Sequence, residues 1–424
     1  MTPPLLIRGG RLIDPATGQD DVGDLFIRDG LIAPPPARLP AGTETRAAAG
    51  IVVAPGFIDL HVHLREPGGE EAETIATGSR AAARGGFTTI VAMPNTRPPL
   101  DTPERVAHVL ARGAESGWVR VLPAACITRG RAGRELADLA ALAAAGAVAF
   151  TDDGATVPEP RLMEEAIRWA DRLGRPVLDH AHDPEMEKAG VMHAGEFSNH
   201  WKIPGIPAEA ETRIVRRDIE LVRRTGGAVH IQHVSAGESV RLIRAAQQAG
   251  LRVTGELTPH HLTLTDADLN PRDARYKMNP PLRSRADREE LIAGILDGTL
   301  AAFATDHAPH TAAAKARGFH AAPFGIIGLE TAVGLTYTEL VCKGLMDRLT
   351  WVRRWTTGPA AILGRPAPSL TPGAPADLVL LDLEHPWTIR AAEMVSRSRN
   401  MPFEGRMVTG RACGAVLGGR WVCP

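Results

Sequence analysis

Between about residues 55 and 365 the chain alternates apolar, strand-like runs with Ala-rich helical stretches, and the alternation repeats eight times. The apolar runs lie at 56–63, 88–93, 119–127, 147–152, 176–182, 228–234, 252–258 and 300–306. Intervening stretches such as 71–84, 134–145, 159–173 and 209–225 carry apolar residues at three- and four-residue spacing, the period of a helix with one buried face. Strands separated by helices pair in parallel, and eight such units predict a closed (β/α)8 barrel of the TIM type. A doubly wound open sheet is the rival. It gives no reason for polar residues to gather at the C-terminal ends of most of the runs, which is where barrel enzymes carry their sites.

The flanks read differently. Residues 1–54 hold short strand-like runs punctuated by Gly9-Gly10 and by Asp29-Gly30, a hairpin signal. Short runs return after 366, at 376–382, 407–409 and 415–417. Neither end can bury a core alone, so the two are expected to pair in a small β-sandwich beside the barrel. The expected division is 1–54, 55–365 and 366–424. A net charge of -1 argues against a nucleic-acid or membrane footprint. The four cysteines, Cys126, Cys342, Cys413 and Cys423, lack zinc-finger spacing and are too few for a disulfide scaffold. No signal-peptide core or bilayer-length apolar run is present, so a cytoplasmic location is expected. Segments 183–208 and 308–324 exceed an ordinary connection. The second has little apolar content at its centre and reads either as a mobile lid over a site or as a passive insertion.

The chemistry lies at the strand ends. His61 and His63 are two residues apart on a strand, share a face and can grip one metal ion. Arg65 follows with a planar fork for a carboxylate, which suggests a small anionic substrate. Later ends bring Asn95, Asp152-Asp153, His180 and His182, His230 and His233, His260-His261, Asp306 and His310. Each has an ordinary use taken singly: Asp153 as a cap, Asn95 in a turn, His180 or His233 as a hydrogen-bonded structural group, His260 and His261 in the fold. Together they bring four or five imidazoles and two carboxylates to one barrel mouth. Paired divalent ions need a bridging carboxylate, and they lower the pKa of water by many units. An Asp nearby can take the proton and pass it to a leaving nitrogen. Metal-assisted hydrolysis or cyclisation of an amide is the class implied. Periodicity leaves the ligands open. Asp152 and Asp153 face opposite ways and either could bridge; His180 and His182 share a face; His230 opposes His233.

At these residues the chain resembles the amidohydrolase superfamily, and within it the class I bacterial dihydroorotases. The matching stretches are Asp59-Leu60-His61-Val62-His63-Leu64-Arg65-Glu66-Pro67-Gly68, Met93-Pro94-Asn95-Thr96, Phe150-Thr151-Asp152-Asp153-Gly154, Gly205-Ile206-Pro207 and His233-Val234-Ser235. Thr258-Pro259-His260-His261, Asn279-Pro280-Pro281-Leu282-Arg283, the run 304–310 and Asn400-Met401-Pro402-Phe403-Glu404-Gly405 match as well. The resemblance implies a (β/α)8 barrel with a β-sandwich from both termini. It implies zinc, two ions per subunit or one if an aspartate bridge holds the second weakly. His61 and His63 would bind the first ion, Asp153 would bridge, and His180 and His233 would hold the second. Asp306 would bind metal and act as general base and acid. Arg65, Asn95 and His310 would grip a substrate carboxylate with His63 beside them, and Asn279 and the Phe324-Gly325 backbone would hold the rest of the substrate.

The implied activity is the zinc-dependent, reversible cyclisation of N-carbamoyl-L-aspartate to L-dihydroorotate in pyrimidine synthesis. A homodimer and an association with aspartate transcarbamoylase are the implied assemblies. Two alternatives stand beside it: another cyclic amidase of hydantoinase or allantoinase type, and an inactive partner of aspartate transcarbamoylase. Many relatives bridge their metals with a strand-four lysine, but no lysine occurs between Val119 and Arg175. The expected metal ligands are all present, against the inactive reading. Two departures stand out. Ala181-His182-Asp183 replaces the usual Cys-Glu-Asp, placing an extra imidazole beside His180. Thr357-Gly358-Pro359-Ala360 replaces an Asn-Pro-Ala run.

Overall fold

The computed structural model describes residues 3–422, so Cys423 lies outside the described residues. Eight strands run in parallel and in chain order: β1 (Phe57–Val62), β2 (Phe87–Ala92), β3 (Arg120–Ala125), β4 (Ala149–Phe150), β5 (Val177–Asp179), β6 (Ala228–Ile231), β7 (Arg252–Leu257) and β8 (Ala302–Phe303). The ring closes just beyond the ladder. Val62 bridges His307 in parallel, and the His63 N–H donates to the His307 carbonyl at 2.9 Å. Closure therefore falls on residues that flank the barrel mouth.

Several strands are shorter than their apolar runs. The run at 147–152 pairs only over Ala149–Phe150, and the one at 300–306 only over Ala302–Phe303. Side chains take over where the ladder stops. Asp152 Oδ1 accepts from the backbone N–H groups of Ile127 and Thr128 at 2.9 and 3.1 Å. Asp59 does the same for His61 and Thr305, at 3.1 and 3.0 Å. Buried backbone donors need a partner, and a carboxylate can serve two where a strand turns away.

Helices begin at their caps. Thr74 and Thr77 form a capping box that starts the helix Ile75–Gly85, and Gly86 at φ 92 turns the chain into β2. The expected helix at 134–145 is reduced to Leu139–Ala144, capped by Asp138. The layer between strands and helices is mostly aliphatic, with one knot of rings in it: Phe57 packs edge-on to Trp351, and Phe57 and Phe87 both meet Trp355. The barrel interior is filled by smaller groups, among them Ile58, Leu60, Val91, Ala124 and Leu178.

The two chain ends pair as expected, as one continuous mixed sheet. Val52–Pro55 lies antiparallel to Leu378–Thr388 on one side and parallel to Leu5–Asp14 on the other. The sheet wraps a separate core of Ile7, Leu12, Leu25, Val53, Leu378 and Val416. Only Gly56 separates this sheet from β1, and a Cβ there would fall 2.1 Å from Thr88 Oγ1. After Leu378–Thr388 the chain returns over the barrel mouth, burying Met394, Met401 and Phe403 against Met278, Ile326 and Ile327. The 308–324 segment buries more than its composition suggests, with Phe319 packed against Met192 and Leu269. Among the described residues no helix is long and apolar enough to cross a membrane.

Candidate active site

Six of the sequence-predicted residues converge at the C-terminal mouth of the barrel, all buried: His61, His63, Asp153, His180, His233 and Asp306. Asp153 sits centrally. Its Oδ1 lies 3.1 Å from His61 Nε2, 3.7 Å from His180 Nδ1 and 3.9 Å from His233 Nε2, and its Oδ2 lies 3.4 Å from His63 Nε2. Asp306 Oδ1 is 3.0 Å from His63 Nε2 and 3.5 Å from His61 Nε2. His180 Nδ1 and His233 Nε2 stand 2.8 Å apart.

The alternatives that periodicity left open separate here. Asp152 is spent on the backbone just past β3, and its other oxygen takes the Thr128 hydroxyl, so of the two only Asp153 enters the cluster. His230 turns inward to Thr254 and Glu256, while His233 enters the site. His261 bonds Thr258 Oγ1 and the Pro280 carbonyl, in keeping with a role in the fold. His182 packs beside His180, ring centroids 5.8 Å apart, with both nitrogens buried and without a hydrogen bond and Nδ1 4.0 Å from Glu187 Oε2. Burial, then His180 and Arg283, push it down to about 3, so it stays a neutral imidazole. Arg65, His233 and Asp306 adopt φ values of 60, 33 and 47. A non-glycine residue in that region costs on the order of 1–3 kcal/mol, and such residues cluster where a site dictates the backbone.

The cluster suits divalent metal. His61 Nε2, Asp153 Oδ1 and His233 Nδ1 are buried without a hydrogen bond, which costs about 1–3 kcal/mol for each atom left so. Ligand atoms of His61, Asp153 and His233 lie within 4.8 Å of one another, as do those of His61, His63 and Asp306. Imidazoles with carboxylates are the donors that borderline ions such as zinc take. The electrostatics agree. Burial would raise the Asp153 carboxyl, but attraction to His61 and His63 outweighs it and holds the group well below the carboxylate range. His233 is pushed down by burial and by His180 and His61, leaving a neutral ring able to ligate.

The sequence alone gives no role to the layer behind these side chains. Glu256, fully buried in β7, accepts from His61 Nδ1 at 3.1 Å and from His230 Nε2 at 2.9 Å, which leaves His61 Nε2 for the cluster. A lone carboxylate inside the apolar run 252–258 was the available signal. Glu73 similarly takes His307 Nε2 at 3.3 Å together with the Ser396 hydroxyl.

Beside the cluster lies a cavity of about 180 Å³ lined by His63, Arg65, Asn95, Asn279, His310, Phe324 and Gly325 among others. The structure thus brings the expected substrate-side residues to the same mouth. Arg65 Nε donates to the Pro309 carbonyl at 3.1 Å, and burial pushes its guanidinium down to about 10, so it remains charged. Asn95 accepts from His63 Nδ1 at 2.9 Å and donates to Asp153 Oδ2 at 3.2 Å. His310 Nε2 donates to the Phe324 carbonyl at 2.7 Å. Asn279 donates to Glu187 at 3.4 Å, and its Oδ1 is unpartnered. The arrangement sets a half-buried cation next to a His/Asp cluster whose donors suit a metal ion and whose carboxylates suit proton transfer.

The Dihydro-orotase-like family model matches residues 50–239. A dihydroorotase of Pelotomaculum thermopropionicum is 48% identical over 419 residues, covering 99% of this chain and 98% of that protein. A dihydroorotase of Anaeromyxobacter sp. (strain K) is 47% identical over 426 residues, covering 100% and 98%. Among solved structures, an L-hydantoinase (dihydropyrimidinase) from Arthrobacter aurescens superposes with a TM-score of 0.86 at 25% identity, covering 100% of this chain and 96% of that one. Identity approaching one residue in two over whole chains, carried on a barrel whose mouth gathers the His and Asp cluster, shows that this chain belongs to the dihydroorotase family of the amidohydrolase superfamily.

Proposed function

We propose that the protein is a class I dihydroorotase, which interconverts N-carbamoyl-L-aspartate and L-dihydroorotate. The observation that carries this reading is the placement of Arg65, half-buried and charged, in the cavity beside the His/Asp cluster. A ring bearing a carboxylate would set that group against Arg65 and its amide bond against the cluster. Zinc, two ions per subunit, would be held by His61, His63, Asp153, His180, His233 and Asp306. When bound, zinc acidifies water and polarises a carbonyl.

The chain's own residues do the rest. Arg65, Asn95 and His310 hold the carboxylate; Asn279 and the Phe324-Gly325 backbone orient the remainder of the ring. In hydrolysis the ring amide C–N bond breaks as water oxygen joins the carbonyl carbon. Asp306 takes the proton from that water and returns it to the departing ring nitrogen. Cyclisation runs the same transfers backwards. Family resemblance extends the proposal to a homodimer able to associate with aspartate transcarbamoylase.

The hydantoinase-like fold makes a neutral cyclic amide the second candidate substrate. Side-by-side hydrolysis of L-dihydroorotate and an unsubstituted hydantoin separates the two. Turnover of dihydroorotate with hydantoin at least about a hundredfold poorer is expected, from loss of a charge-assisted contact. A preference for hydantoin would leave Arg65 without a ligand and overturn the reading.

A further inference from the structure

The 308–325 stretch brings His310 and the Phe324-Gly325 backbone to the cavity, yet its only regular element is the single turn Ala312–Lys315. Three side chains hold it from behind. Asn400, buried in the C-terminal return, donates from Nδ2 to the carbonyls of Ala308 and Gly325, both at 3.0 Å. Its Oδ1 accepts the His310 N–H at 3.0 Å. One amide therefore ties both ends of the loop and the residue that faces the substrate. Lys315 Nζ donates to the carbonyls of Ala274, Lys277 and Pro323 at 2.9, 3.1 and 2.9 Å, the full complement of an ammonium. Lys277 Nζ donates to His320 and Ala322 at 2.9 and 2.7 Å and sits over the Phe324 ring. With its donors spent on backbone, Lys315 has none left for a substrate.

We infer that Asn400 is a positioning residue: it fixes His310 and the Phe324-Gly325 peptide at the spacing the substrate needs. Lys277 and Lys315 hold the rest of the loop as a standing wall rather than a lid that opens in every cycle. This rests on the dihydroorotase reading for the identity of the substrate, and on hydrogen bonding alone for the loop.

The test compares full-length wild type with Asn400→Ala, loaded with zinc, by three measurements: L-dihydroorotate kinetics, zinc content, and hydrogen exchange across 308–325. The expected result is KM raised about tenfold, kcat within about threefold, unchanged zinc, and faster exchange confined to 308–325. Asn400→Asp keeps the acceptor for His310 but loses both donors, and its KM should rise at least as far as in N400A. Lys315→Met should speed exchange across the loop with a smaller change in KM. If N400A does not fold, Asn400→Ser carries the same comparison. Unchanged KM and exchange would overturn the inference, as would a fall in kcat together with zinc while KM stays put. Should wild type fail to turn over dihydroorotate, the functional reading falls, and the exchange difference still decides the role of Asn400.

Discussion

Asp306 and Arg65 line the same cavity, and under the roles proposed for them, proton carrier and carboxylate clamp, their variants should fail differently. Asp306→Asn removes the proton carrier, so kcat should fall by roughly 10²–10⁴ while KM changes little. Arg65→Ala deletes a charge-assisted contact worth about 1.5–3 kcal/mol, so KM should rise roughly 10- to 150-fold with kcat less affected. Steady-state kinetics on the two proteins decides; a matching pattern in both would contradict the division of roles. Behind them Glu256 orients His61. Glu256→Gln should weaken zinc binding about 10- to 100-fold, measured by competition with a chelator, without loss of fold. At this scale the sequence was legible where residues carry chemistry in a pattern, as His61, His63 and Arg65 do. Asp152 and Asp153 could not be told apart by alternation. Their difference comes from Thr128, a residue 24 positions away from Asp152 that satisfies one carboxylate and so leaves the other to the cluster.

Elements were legible to the extent that their signals are local. Apolar runs marked all eight barrel strands, but the helices expected from 71 and 134 start only at Ile75 and Leu139, where Thr74 and Asp138 cap them. Strand ends were overrun because apolarity continues past the last ladder bond, while the end itself is set by side chains such as Asp59 and Asp152. The 308–324 segment looked unanchored because its anchors, Lys277 and Asn400, lie elsewhere in the chain. Lys315 gives this element a pH signature. Burial, and then the charge of Lys277, push its amine from 10.5 down to about 7. The unfolded chain holds the proton more tightly, so this group's cost to folding is full below pH 7 and shrinks as pH rises toward 10. Denaturant melts of wild type and Lys315→Met should show the stability difference moving in favour of wild type between pH 7 and 10. A difference that is flat, or moves the other way, would show that Lys315 keeps an ordinary pKa.

For the molecule as a whole, the barrel with a joined pair of termini was visible in the alternation and in the short flanking runs. The single continuous sheet was not, because register between Val52–Pro55 and Leu378–Thr388 is a contact across more than 300 residues that no local pattern reports. Beyond that joint the C-terminal return reaches the barrel mouth, so residues near the end of the chain bear on the site. If metal held by the His/Asp cluster and a carboxylate held by Arg65 act on one substrate, L-dihydroorotate hydrolysis must follow zinc content measured on the same sample, before and after chelation. Turnover that disappears with the zinc and returns when zinc is restored is the expected result. Zinc bound at the cluster with no turnover of dihydroorotate would contradict the account.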